Sequence, residues 1–185
     1  MKVERTAIAD VLIVQPRVFG DARGFFMESW NRRTFAEATG VDAAFVQDNH
    51  SHSHKGVLRG LHYQVRQPQG KLVRVARGAA FDVAVDIRRG SPTFGVWVGV
   101  ELSAANHRQL WVPPGLAHGF LVLADDTDFL YKATDYYAPE HERCIAWDDA
   151  TIAIDWPLAA HGLAQPLLSD KDRAAPLLAD AELPD

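Results

Sequence analysis

"AAFDVAVDIR", residues 79–88, alternates without a break. Phe81, Val83, Val85 and Ile87 fall on one side of an extended chain, and Asp82, Ala84, Asp86 and Arg88 on the other. Successive side chains of a strand point to opposite faces, so this rhythm predicts a strand and not a helix. The pattern spreads outward in both directions. "KLVRVARG" (71–78) sets Leu72 and Arg74 against Lys71, Val73 and Val75, and "FGVWVGVELS" (94–103), "HRQLWVP" (107–113), "HGFLVLAD" (118–125), "DFLYKATDYY" (128–137) and "ERCIAWDD" (142–149) continue it. Toward the N-terminus, "VLIVQP" (11–16) is β-branched and stops at a proline, "GFFMESW" (24–30) follows the turn signal "FGDARG", and "FVQDNHSHS" (45–53) alternates from Val46 onward. Short strands at regular spacing, with turn residues between them, predict an antiparallel sandwich or barrel. One helix stands out, "WNRRTFAEATG" (30–40), with Phe35 and Ala38 on one face and Gly40 as its stop. The tail 169–183 offers a short helical turn after Ser169.

Bulk properties bound the function. A chain of 185 residues suffices for one core, and a single domain over 1–185 is expected. The formal net charge of −5 lacks the basic footprint of a nucleic-acid binder, so an anionic ligand must be met by a local cluster of Arg and Lys. The single cysteine, Cys144, excludes an internal disulfide and fits a reducing compartment. "MKVERTAIAD" has no long apolar run, so neither a signal peptide nor a membrane anchor is expected, and the cytoplasm is the expected location.

The chemistry-bearing residues begin with "GVLRGLHYQ" (56–64), where strict alternation places Arg59 and His62 on opposite faces. His50, His52 and His54 share one face of the preceding segment; they read as a polar strand end near solvent, with a turn at Lys55 and Gly56. A histidine works as a general base when a carboxylate fixes its tautomer, and Asp82, Asp86 and Asp172 are all candidates. Tyr131 alternates with Phe129 and points inward as a core residue or an acid. Arg23, Arg59, Lys71, Arg74 and Lys171 are dispersed cations; Arg forks suit a diphosphate.

"PPGLAHGF" (113–120) resembles the second signature of the cupin jelly rolls, Pro-x-Gly-x-x-His, at Pro113, Gly115 and His118. In metal cupins that histidine is a ligand. The first signature requires His-x-His and a later glutamate, whereas here the segment reads His62-Tyr63-Gln64. The resemblance therefore implies a mainly β, cupin-type jelly roll with one or two short helices and no metal. A metal-dependent cupin using His52, His54 or His118 is the rival, and a sugar-nucleotide-binding module without catalysis is a second.

The stretches "VFGDARGFFMESWN", "FVQDNHSHS", "GVLRGLHYQ", "QGKLVRV", "FDVAVDIRRGSPTFG", "LSAANHRQLWVPPGLAHGF", "FLYKATDYYAPEHE" and "LSDKD" together resemble the dTDP-4-dehydrorhamnose 3,5-epimerases. The resemblance implies a cofactor-free homodimer that inverts C3 and C5 of dTDP-4-dehydro-6-deoxy-D-glucose, in the supply of dTDP-L-rhamnose. Relatives on this scaffold invert C3 or C5 alone or take other dTDP-4-keto-6-deoxy sugars. Carried over by position, His62 is the base, Asp172 its carboxylate partner, Tyr131 the acid, and Lys71 the cation beside the ketone. Arg23, Glu28, Gln47, Asn49, Arg59, His118, Glu142 and Lys171 match ligand-binding positions, and Tyr137 matches the ring that stacks on thymine. Arg23 and Glu28 belong to a segment that reaches the partner subunit's site. For Arg59 and His62 to meet one ligand, their strand must bend or bulge near Gly60.

Overall fold

The computed structural model describes residues 1–184. The chain folds into strands β1 (Lys2–Arg5), β2 (Leu12–Gln15), β3 (Val18–Asp21), β4 (Gly24–Met27), β5 (Gln47–Ser53), β6 (Leu58–Gln64), β7 (Lys71–Arg77), β8 (Ala79–Asp86), β9 (Trp97–Ser103), β10 (Gln109–Val112), β11 (Leu116–Val122), β12 (Thr127–Ala133) and β13 (Glu142–Cys144), of which all but β1 and β3 overlap the strand-like stretches of the sequence. Two short helices join them, α1 (Arg32–Thr39) and α2 (Asp170–Arg173). Among the described residues no helix is long and apolar enough to cross a membrane.

Two antiparallel sheets face each other. One has the order β1-β2-β10-β7-β12-β5, the other β13-β6-β11-β8-β9, and β3 with β4 forms a separate hairpin. The alternation predicts such an antiparallel sandwich, and the arrangement is the cupin-type jelly roll that the resemblance implies. β8 shows why its pattern is so clean: both of its faces are buried, against different cores. Ala80 and Ala84 join Val73, Val75, Phe120 and Phe129 between the sheets. Val83, Val85 and Ile87 lie on the outer face, where Ile152, Trp156 and Leu178 of the C-terminal segment cover them. Each fully buried Val or Leu of this kind is worth about 1.5–3 kcal/mol. Asp82 and Asp86, which alternate with these apolar residues, are therefore sealed inside the protein.

α1 begins with the Asn31 side chain accepting from Thr34 N–H and ends at Gly40 in the left-handed region. It caps a third cluster on the outer face of the six-stranded sheet, where Phe35 meets Leu12, Leu72 and Trp111. Ala38, expected on the buried face, is exposed, and Phe35 is the buried residue of the helix. The "FGDARG" turn also differs from expectation: Phe19, Gly20 and Asp21 are strand residues of β3, paired with Phe26, Phe25 and Gly24, so the turn is confined to Ala22 and Arg23. "ERCIAWDD" is a strand only through Cys144. Ile145 still exchanges backbone hydrogen bonds with Leu61, but Ala146 N–H donates instead to Pro176, and the Asp149 carboxylate then gathers the N–H groups of Thr151, Ile152 and Leu178 into a turn.

Candidate active site

The segment that carries Arg59 and His62 departs from strict alternation. On β11, His118 pairs with His62 and Phe120 with Arg59, so two steps along β11 span three along β6. The extra residue makes a bulge. Leu58 and Leu61, three apart, consequently both enter the outer core, while His62 is half-buried and Arg59 stays exposed with its guanidinium on Ser53 of the facing sheet. Gly60 makes this possible. Its φ of +123° suits only glycine, and a Cβ there would stand 2.5 Å from Gly119 Cα and 2.7 Å from the His118 carbonyl oxygen.

His62 opens onto a narrow cleft of ≈ 80 Å³ shared with Lys71, Tyr131, Tyr137 and Glu142. The walls come from opposite sheets: His62 from β6 and Glu142 from β13, Lys71 from β7 and Tyr131 from β12. His62 Nε2 lies 2.5 Å from Asp172 Oδ1, which leaves Nδ1 as the free ring nitrogen. Asp172 is buried at 4% exposure and sits in the first turn of α2. Ser169 caps that turn, accepting from Asp172 N–H and donating its hydroxyl to Asp172 Oδ2. The Ser-x-x-Asp spacing is the visible sequence signal for this cap. Burial alone would raise the Asp172 carboxyl, but hydrogen bonds from His62, Ser169 and the Gly60 backbone hold it below the usual range.

On the other wall, burial and then the negative charge of Glu142 push the Tyr131 phenol above its ordinary value, while the Arg59 charge opposes them. Burial pulls Lys71 down to about 8, against the attraction of Asp82 and Glu142. The Lys71 ammonium is 5.7 Å from the centre of the Tyr131 ring. Glu142 is bound by Lys171, and it accepts a 2.9 Å hydrogen bond from the Tyr137 hydroxyl. These two donors outweigh burial and keep its carboxyl low.

The remaining matched positions divide. Gln47 accepts from Tyr137 N–H and donates to Asn49, whose own Nδ2 is buried without a partner among the described residues. Arg59 donates to Ser53, an inward-facing serine of β5 that sequence reasoning did not single out although it repeats the spacing of Gln47 and Asn49. His118 lies behind the cleft, 6% exposed, with its Nε2–H donating to Asp82 at 2.8 Å. Of the three candidate carboxylates, Asp172 braces His62, Asp82 braces His118, and Asp86 is occupied by Arg88, Ser91 and Thr93. Arg23 and Glu28 do not reach the cleft of their own chain. Arg23, at the exposed tip of the β3–β4 hairpin, pairs with Asp21, and Glu28 accepts from Asn31. His50 and His52 face outward from β5 onto Asp128, on the opposite side of the sheet from His118, and the turn follows at Lys55 and Gly56 as expected. Among the described residues no three His, Cys, Asp or Glu side chains are grouped to hold a metal ion.

A braced imidazole and a phenol on facing sheets, with an ammonium beside the phenol, can take a proton from one side of a small carbon acid and return one from the other. Fold and cleft together define a cupin-type jelly-roll enzyme equipped for proton transfer. Comparison with known proteins narrows the class. The family model for dTDP-4-dehydrorhamnose 3,5-epimerase matches residues 5–180. The dTDP-4-dehydrorhamnose 3,5-epimerase of Pseudomonas aeruginosa is 63% identical over 182 residues, covering 98% of each chain. The crystal structure of the Legionella pneumophila dTDP-6-deoxy-D-glucose-3,5-epimerase, in complex with dTDP-4-keto-L-rhamnose, superposes with a TM-score of 0.94 at 54% identity, covering 99% of this chain and 97% of that one. A 3'-monoepimerase from Streptomyces bikiniensis, in complex with dTDP-quinovose, gives a TM-score of 0.90 at 37% identity, covering 100% of this chain and 92% of that one. The chain belongs to the dTDP-4-dehydrorhamnose 3,5-epimerase family, and it is an isomerase.

Proposed function

We propose that this protein, as one domain over residues 1–185, inverts C3 and C5 of dTDP-4-dehydro-6-deoxy-D-glucose. The observation that carries the residue roles is the pairing of His62 with buried Asp172 on one wall of the cleft, opposite Tyr131 on the other. C3 and C5 both flank the C4 ketone, so the same carbonyl acidifies both C–H bonds. His62 Nδ1 removes the proton, and Asp172 offsets the charge of the imidazolium that forms. Electrons from the broken C–H bond move to the ketone oxygen, where the Lys71 ammonium stabilises the enolate. Tyr131 delivers a proton to the opposite face, which inverts the centre. The substrate's own ketone is the electron sink, so the reaction calls for neither cofactor nor metal.

Arg59, Gln47 and Asn49 bind toward the nucleotide end, with Lys171, Glu142 and His118 completing the ligand's polar surroundings and Tyr137 stacking on thymine. Tyr137 is 50% exposed, as a stacking ring at a cleft mouth would be. The active form is a homodimer in which Arg23 and Glu28 of each chain enter the partner's cleft. Support comes from the β3–β4 hairpin, which carries Arg23 at its tip and leads into Glu28: its Phe19, Phe25 and Phe26 are 50%, 61% and 71% exposed. Inversion at C3 alone is the second reading, suggested by the likeness to the monoepimerase, but the higher identities lie with 3,5-epimerases. The deciding experiment incubates the protein with dTDP-4-dehydro-6-deoxy-D-glucose in heavy water and reads the product by NMR. Deuterium and inverted configuration at both C3 and C5 are expected; deuterium at C3 alone refutes the double inversion.

A further inference from the structure

The middle of β8 carries a carboxylate that the proton transfers described above do not use. Asp82 is fully buried and faces the space between the sheets, between Ala80 and Ala84. One of its oxygens accepts the hydrogen bond from His118 Nε2–H. The other is sealed from solvent and has no hydrogen-bond partner among the described residues. A buried carboxylate left half-satisfied is costly unless a nearby charge offsets it. Lys71 enters the same interior from the facing sheet, and Asp82 is the first of the two negative charges that act on its ammonium, Glu142 being the second. Tyr131 from β12 faces the ammonium with its ring, and His118 from β11 lies within its field.

We propose that Asp82 is a positioning residue of the epimerisation, the fixed counter-charge of the Lys71 ammonium, with its carboxylate plane set by His118. The proposal rests on the assignment of Lys71 to the enolate oxygen. Burial has already brought Lys71 down to about 8, so its cation has little reserve at neutral pH. Burial also lowers the His118 imidazole, helped by the positive charge of Lys71 and opposed by Asp82 itself, so Asp82 acts on the ring and on the Lys71 ammonium together. Without Asp82 the ammonium would release its proton inside the working range, and the enolate oxygen would lose its cation.

The test is the pH profile of kcat for Asp82→Asn, with a thermal melt to confirm folding. The parent is expected to lose activity on the alkaline side near the Lys71 midpoint of about 8. In Asp82→Asn that limb should move down by about one pH unit or more, so that its activity relative to the parent falls about tenfold between mildly acidic and mildly alkaline solution. Lys71→Arg in the Asp82→Asn background, which keeps a permanent cation, should remove the extra pH dependence. A loss by the same factor at every pH is what a structural hydrogen bond to His118 would give, and it overturns the proposal. If Asp82→Asn does not fold, Lys71→Met supplies the second measurement. With the ammonium gone, Asp82 should draw a proton onto His118, and the His118 titration followed by NMR should rise by about one unit or more. An unmoved His118 midpoint overturns the proposal. Failure of the underlying reading is distinguishable: Lys71→Met turning over at the parental rate would remove Lys71 from the reaction, whereas a crippled Lys71→Met beside a pH-uniform Asp82→Asn removes Asp82 alone.

Discussion

Asp172→Asn is the most demanding probe of the proposed base. The carboxylate is 4% exposed, 2.5 Å from His62 Nε2, and fixed by Ser169 and the Gly60 backbone, so the imidazole has little freedom to find another partner. Two effects follow from replacing it with an amide. The imidazolium formed during proton abstraction loses its counter-charge; with charge centres about 4 Å apart and an effective dielectric of about 20, that attraction is about 4 kcal/mol. At 1.36 kcal/mol per tenfold in rate, turnover should fall about a thousandfold. The amide NH₂ can also donate to Nε2, which would place the ring proton on Nδ1, the nitrogen that must accept the substrate proton. The thousandfold loss is therefore a lower bound. The assay is deuterium uptake at C3 and C5 by NMR, which reads proton abstraction without requiring inversion. Asp172→Asn that exchanges within tenfold of the parent would refute the pairing as the source of the base.

Tyr131→Phe should separate exchange from inversion: the enolate still forms, His62 returns the proton to the face it left, and deuterium enters with retained configuration; inversion of both centres at the parental rate would count against Tyr131 as the acid. Gly60→Ala forces a Cβ against Gly119 and the His118 carbonyl at a φ of +123°, and should cost about 3 kcal/mol in denaturant melts along with most of the activity; parental stability would show that the bulge relaxes freely. Asp86 is fully buried, and hydrogen bonds from Arg88, Thr93 and Ser91 hold its carboxyl far below 3.8 despite burial, so its stabilisation is present above that pH and drains away below it. Asp86→Asn should accordingly lose about 3 kcal/mol at pH 7, with the gap to the parent narrowing in melts below pH about 4; a gap that is constant with pH would refute the charged network. Sedimentation should find a dimer, and Phe26→Asp on the exposed hairpin should yield inactive monomer; a monomeric, fully active parent would remove the shared site.

Strands such as β8 and β5 were legible because they have a consistent inside and outside, whereas β1 and the fully exposed β3 have none. β8 reads cleanly from Phe81 to Ile87 since both of its faces meet different cores, and α1 announced itself through Phe35 and Gly40. The bulge at Gly60 was legible only as a conflict, two functional residues on the wrong faces of one strand, and not as a register. β3 was misread because Gly20 and Asp21, residues of turns, sit in a two-stranded hairpin where no third strand penalises them. The expectation of Ala38 on the helix's buried side failed because a small residue leaves no distinguishing mark on a pattern. Within the site, local spacing revealed little. His62 and Asp172 are 110 residues apart, and nothing in either segment distinguishes Asp172 from Asp82 or Asp86 as a brace. Resemblance to a family supplied that choice; the unpartnered oxygen of Asp82 was visible in neither, since it depends on the packing of two facing sheets.

The bulge ties Arg59 and His62 into one stiff length of backbone, pinned by Gly119 on one side and covered on the other by Leu58 and Leu61. A ligand anchored at the guanidinium cannot shift without sliding past the imidazole in a fixed relation, as two teeth of a comb keep their spacing. Attraction for the part of the substrate that never reacts thus becomes alignment of the part that does. On this arrangement a sugar stripped of its nucleotide is not merely held more weakly; while it is bound, its C–H bonds wander relative to the base, and turnover suffers together with affinity.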